Sequence, residues 1–209
     1  GVKSGYVNQQ AWLQVAQRAG LASMYLGTVV RQAGDDGCDQ RSVLSAVAVH
    51  APDEYMSRYL QRNQQKDSNA LTISACRVHK GKEQFISASY FVAKTSRKDA
   101  RGDPIYALYE KIGISPRLEL VDHIDDLRVS YAVLDAKTQK LHWQPVGDGI
   151  VFKDIVAVSL ELLFRESVRG SHAGRYWYAH GWHASAQGSV HLSLPLIVFI
   201  RHQALSHAM

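Results

Sequence analysis

The chain has 209 residues, 46% of them hydrophobic and 21% charged, proportions of a packed globule rather than a disordered chain. At this length folding buries about 70% of the unfolded surface, so neither a metal nor a disulfide is needed merely to fold. Lysine and arginine exceed aspartate and glutamate by 24 to 19, a net +5 too diffuse for a dedicated nucleic-acid binder, and no run of 18 apolar residues is present to span a bilayer.

Residues 4–33 read as one long helix. Trp12, Ala16, Ala19, Ala22, Leu26, Val29 and Ala33 recur at steps of three and four and draw an apolar stripe. Gln10, Gln14, Gln17, Arg18, Thr28, Arg31 and Gln32 fall largely off it, and Gly34 suits a left-handed C-terminal cap. Thirty helical residues would span about 45 Å, longer than one sheet can cover. Asp53 is placed to cap a short helix through Tyr55, Met56, Tyr59 and Leu60.

From Ala70 the pattern changes to strands. Residues 70–78 and 84–93 flank a Lys80-Gly81-Lys82 turn and read as a hairpin. Residues 95–102 form a charged loop, and further strands are predicted at 105–112, 117–121, 127–134 and 141–143. Two strong strands close the series at 155–164 and 190–200. In the first, Val156, Val158, Leu160, Leu162 and Phe164 alternate with Ala157, Ser159, Glu161 and Leu163, the period of a sheet with one buried face. Pro195 marks the last strand as an edge or a bulge. One helix followed by a run of strands is an α+β plan. It divides into an N-terminal amphipathic helix, 1–34, and an antiparallel β-sheet head, 35–209.

Chemistry-bearing patterns are sparse. No glycine-rich phosphate loop, zincin helix or nucleophile elbow occurs. His180 and His183 lack an obvious third metal ligand. Asp35, Asp36 and Asp39 around Gly37 match no known calcium loop and read as a solvated turn. Asp122, His123, Asp125 and Asp126 form a polar knot between strands, with no adjacent nucleophile to make it catalytic; side chains bonding their own backbone account for it. Neither enzymatic activity, a metal nor a cofactor is expected. Cys38 and Cys76 have too few companions for a zinc site; they are free thiols in a reducing compartment and pair in an oxidising one, where the bridge would add roughly 4 kcal/mol in the chain-entropy model.

The most distinctive stretch is 170–188. Glycines punctuate it at 170, 174, 181 and 188, and Arg175, Tyr176, Trp177, Tyr178 and Trp182 crowd its centre, with His172, His180, His183 and His191 nearby. Aromatic and arginine side chains on a loop are the material of binding hot spots. The same rings also suit a lid folded back over an open sheet face.

In its order of features the chain resembles the PilW-type minor pilins of type IV pili, relatives of the J-type minor pseudopilins of type II secretion. The matching stretches are Val29-Val30-Arg31-Gln32-Ala33-Gly34 running into Gly37-Cys38, then Ser68 to Ile73, Gly102 to Tyr109, and Leu120-Val121-Asp122 through Ile124 to Tyr131. Val156 to Arg165 and the strand ending at Arg201 complete the series. The resemblance runs from about Gln17 to Gln203 and rests on order and spacing, each motif alone being mostly strand pattern. The apolar N-terminal helix behind a prepilin cleavage site, the hallmark of such pilins, is missing, and Arg201-His202-Gln203 only approximates the family's polar finish.

The resemblance implies that the chain is a soluble truncation and that the helix is the lower half of a pilin spine, its missing half anchored in the inner membrane and later in the filament core. It implies a periplasm-facing inner-membrane location before assembly and a pilus location after it, and hence a Cys38–Cys76 bridge. A non-enzymatic role follows: priming pilus assembly and forming a tip complex with other minor pilins, the major pilin and a tip adhesin. A minor pseudopilin, or a pilus component capturing DNA, are the alternatives, although the modest charge does not lead us to expect nucleic acid as a partner.

Overall fold

The computed structural model describes residues 2–32, 54–65, 68–79, 82–135, 137–145, 155–168 and 173–200. The chain opens with helix α1, Val2–Gln32, followed by the shorter α2, Glu54–Asn63. Among the described residues ten strands follow: β1 (Ala70–His79), β2 (Lys82–Lys98), β3 (Pro104–Ile112), β4 (Leu118–Asp122), β5 (Ile124–Leu134), β6 (Leu141–Pro145), β7 (Ile155–Ser167), β8 (Gly174–Tyr178), β9 (Gly181–Ser185) and β10 (Ser189–Phe199). They form two four-stranded antiparallel sheets, ordered β1-β2-β3-β4 and β10-β7-β5-β6, and a separate β8-β9 hairpin. The architecture is α+β. Among the described residues no helix is long and apolar enough to cross a membrane.

One core joins the helix to both sheets. Val15, Ala19, Ala22, Leu26, Val29 and Val30 of α1 pack with Leu71, Ile73, Tyr90 and Leu108 of the first sheet and with Leu127, Leu160, Leu162 and Phe164 of the second. The small alanines let the helix axis lie close to the strands, and Tyr25 meets Tyr90 edge to face at 6.2 Å. The helical stripe needs one correction. Trp12 is 46% exposed and Ala16 is also exposed, while Ala11 and Val15 are buried in their place. At about 100° per residue the buried line passes through Ala11, Val15, Ala22 and Val29, so Trp12 sits on its flank and Ala16 further round. Ala33 lies outside the described residues.

A smaller cluster on the far side of the first sheet holds α2: Leu60 packs with Phe91, Ala93, Ala107 and Tyr109. Strand β2 continues to Lys98, through what the sequence suggests is a charged loop. A register shift lies between Lys94 and Lys98. There Thr95 Oγ1 donates to the Ile105 carbonyl at 2.9 Å and accepts the Arg97 N–H at 3.0 Å, so a side chain takes over from the ladder.

The polar knot at 122–126 contracts to a single residue. His123, at φ 59°, is the only break between β4 in one sheet and β5 in the other. Asp125 and Asp126 are in β5 because each has a local cation: Arg165 Nε lies 3.1 Å from Asp125 and Arg128 Nε 3.0 Å from Asp126. The two sheets are also stitched at their other junction, where Asn69 N–H donates to the Leu127 carbonyl (2.7 Å) and Asn69 Oδ1 accepts the Val129 N–H (2.8 Å).

Candidate functional site

Strand β7 alternates as its sequence suggests only at its centre, Leu160 and Leu162 toward the helix and Ser159 and Glu161 away from it; Ala157 and Leu163, expected on the open face, are buried as well. Register then decides which polar residues meet on the outer face. Arg128 pairs with Glu161 and Ser130 with Ser159 across β5–β7, while Pro195 of β10 lies beside Glu161 on its other side. Pro195, which cannot donate to a ladder, is indeed on an edge strand.

The β8-β9 hairpin covers one end of this face. Its strand alternation divides the aromatic cluster in two. Tyr178 is buried and Tyr176 half-buried, Tyr176 stacking on His191 of β10 at 4.3 Å and 15°. Trp177 and Trp182 remain 49% and 61% exposed, in edge-to-face contact at 5.6 Å, with the Arg175 guanidinium 5.3 Å over Trp182. The rings expected to bind a partner are thus shared between a lid and a free surface.

Polar contacts pin the hairpin down. Ser185 Oγ has a single hydrogen, donated to the Ser189 carbonyl at 2.8 Å, so His191 Nδ1–H must donate to that oxygen at 2.9 Å. Burial, aided by the nearby Arg165 charge, lowers the His191 pKa to about 4 and keeps the ring neutral. His183 Nε2–H donates to the Tyr178 carbonyl at 2.9 Å, which commits this histidine to the hairpin. Among the described residues no group of three His, Cys, Asp or Glu side chains is placed to hold a metal. The hairpin turn itself is unusual. Ala179 and His180 both have positive φ, 49° and 63°, where Asn-Gly is the ordinary choice. Glu161 Oε2 accepts the Ala179 N–H at 3.2 Å and Glu161 Oε1 accepts the Ser193 hydroxyl at 2.8 Å.

Between the turn and the sheet lies a cavity of about 640 Å³, lined by Arg128, Ser130, Ser159, Glu161, Trp177 and His180 among others. Below it Tyr178 is raised well above the ordinary tyrosine range by burial and by the charge of Asp126. None of Arg128, Ser130, Ser159 or Glu161 stands out in the sequence as a site residue. Their polar alternation is visible, but the cross-strand register that gathers them, and the roof that makes a surface into a cavity, are tertiary facts.

A second cluster clamps the helix. Arg18 Nε lies 2.9 Å from Asp122, and the same guanidinium also pairs with Glu166. His123 Nδ1 is 3.2 Å from Asp122, and Arg97 reaches Asp122 at 3.2 Å. Burial opposes ionisation of Asp122, but His123, Arg18 and Arg97 together outweigh it and hold its pKa below the usual carboxylate value. Asp125 goes the other way: burial raises it and Arg165 only partly compensates. With every carboxylate engaged by a cation or backbone group, this cluster ties elements together rather than presenting a base. Cys38 and the carboxylates of residues 35, 36 and 39 lie outside the described residues, as does the Cys76 side chain.

No family model matches the chain, and no curated protein matches it. Among solved structures it is similar to a type IV-like pilin from Thermus thermophilus, at 12% identity and TM-score 0.36, over 68% of this chain and 82% of that one.

Proposed function

We propose that the chain is the head of a minor pilin. It primes assembly of a type IV pilus and sits in a tip complex with other minor pilins, the major pilin and a tip adhesin, without catalysing a reaction. The observation that carries this reading is the two-sidedness of α1. The helix is about 46 Å long and gives one side to the sheets, yet its opposite side exposes Leu13 (64%) and Met24 (67%) three turns apart, with Leu21 beside them. Gly20 lies on that same side with open space where a Cβ would stand, so a neighbouring helix can approach the backbone closely. A helix packed on one side and carrying Leu13, Leu21 and Met24 among the exposed glutamines and Arg31 of the other can meet helices of other subunits, as a pilin spine does. The resemblance to PilW-type sequences supplies the class of filament and of partners.

The test is a Leu13→Asp/Met24→Asp double variant of the native gene in its own cells. Filaments and co-purifying subunits should be lost while the melting temperature of the isolated head is unchanged. Normal piliation with this variant would refute the role of the helix face. Loss of protein secretion with intact pili would assign the chain to a type II secretion apparatus instead. The intact mass of envelope-purified protein reads the location at the same time: an N-methylated start followed by about twenty apolar residues is expected.

A further inference from the structure

We propose that the cavity under the β8-β9 hairpin is a binding site for a short, uncharged oligosaccharide. Its volume, about 640 Å³, falls within the roughly 300–1,000 Å³ of small-molecule sites, room for more than a single sugar ring. Its chemistry excludes the other common ligand classes. An apolar ligand would strand Arg128, Glu161 and the hydroxyls of Ser130 and Ser159 without water. An anion would meet Arg128 but also Glu161 directly across the strand pair, with Asp126 3.0 Å from the same guanidinium. A cation would meet that guanidinium.

What remains is a neutral ligand rich in hydroxyl groups that both donate and accept. A carboxylate has about four acceptor sites and a guanidinium five N–H donors. Glu161 uses one bond per oxygen on Ser193 and Ala179, and Arg128 gives its Nε–H to Asp126. Arg128 also bonds Tyr178; with these partners counted, the two cross-strand neighbours still have donor and acceptor capacity left for hydroxyl groups. Half-exposed Trp177 lines the same cavity, and an indole is a side chain against which the C–H side of a sugar ring can pack.

The backbone provides a separate argument. Two adjacent non-glycine residues in the left-handed region are strained, and Ala179 and His180, which hold that conformation, both line the cavity. Glu161 holds the strained turn by the Ala179 N–H, so the residue that would bind the sugar also sets the roof height. Strain of this kind is found at ligand clamps, where surrounding structure over-determines it. The site lies on the sheet face turned away from α1 and is independent of whether the chain enters a filament.

The test is titration of the purified protein with maltotriose, cellotriose, triacetylchitotriose and lactose, read by tryptophan fluorescence and calorimetry. At least one should bind saturably. Trp177→Ala and Ser130→Leu, which remove the platform and fill the floor, should each weaken it at least about tenfold. Trp12→Ala, on the helix, should leave it unchanged, and circular dichroism of each variant checks that the sheet persists. Failure of all four sugars to bind at about 10 mM would overturn the proposal. So would binding that survives both cavity variants, or saturable binding at this site of an extended peptide or polyphosphate in place of a sugar.

Discussion

Leu26 offers the most direct measure of how α1 is held. Its side chain is 0% exposed and belongs to the core that joins the helix to Tyr90, Leu160 and Phe164. Leu26→Ala removes buried methyl groups and leaves a void that a helix fixed to two sheets cannot readily close, so the cost should be in the upper range for such changes, about 3–5 kcal/mol. For a domain of this size each kcal/mol moves the melting temperature by about 2–4 °C, an expected drop of about 6–20 °C. Trp12→Ala is the control: the ring is larger but half-exposed, and its loss should cost no more than about 1 kcal/mol. Urea unfolding at constant m-value gives both numbers. A Leu26→Ala cost under about 1 kcal/mol, or a larger effect at Trp12 than at Leu26, would refute the assignment of the packed face.

His191 is held neutral with a pKa of about 4 against an ordinary value near 6.5. Its protonation therefore favours unfolding: stability is full above about pH 6.5 and falls as the pH drops toward 4. His191→Phe keeps a ring on Tyr176 and should flatten this part of the pH profile of tryptophan fluorescence; an unchanged slope would remove His191 as its source. Arg18→Met leaves Asp122 and Glu166 facing each other without their shared cation and should cost about 1–3 kcal/mol at neutral pH, less at pH 3. Equal stability of the variant and wild type in denaturant would show the clamp to be idle. Ala179→Gly relieves a positive φ and should raise stability by about 1 kcal/mol, and a lowered melting temperature would contradict the strain.

The strand series was legible because burial on one face of β5, β7 and β10 writes period-two alternation into the chain, and the edge position of β10 because Pro195 cannot donate a ladder bond. The helix was legible in extent but not in rotation. A ladder of threes and fours starting at Trp12 and one starting at Ala11 both fit, and only contact with the sheets selects Ala11 and Val15. The run at 122–126 looked like a turn because three carboxylates in five residues are costly in a strand, and their cations, Arg128 and Arg165, come from the same and a distant strand. In 170–188 the glycines suggested an irregular loop. The Trp177–Trp182 cross-strand pair makes it a hairpin, closed without glycine at the two turn positions where glycine or asparagine is usual. The cavity residues had no local signal, since Ser130, Ser159 and Glu161 become neighbours only through register.

The placement of Arg18 has a mechanical meaning. The chain leaves one sheet and enters the other at His123, and Arg18 grips the residue on one side of that corner, Asp122, together with Glu166 of β7. A pull along the helix axis is therefore delivered to both sheets at their common corner, where it loads several ionic contacts and the core in shear at once instead of peeling one strand from an edge.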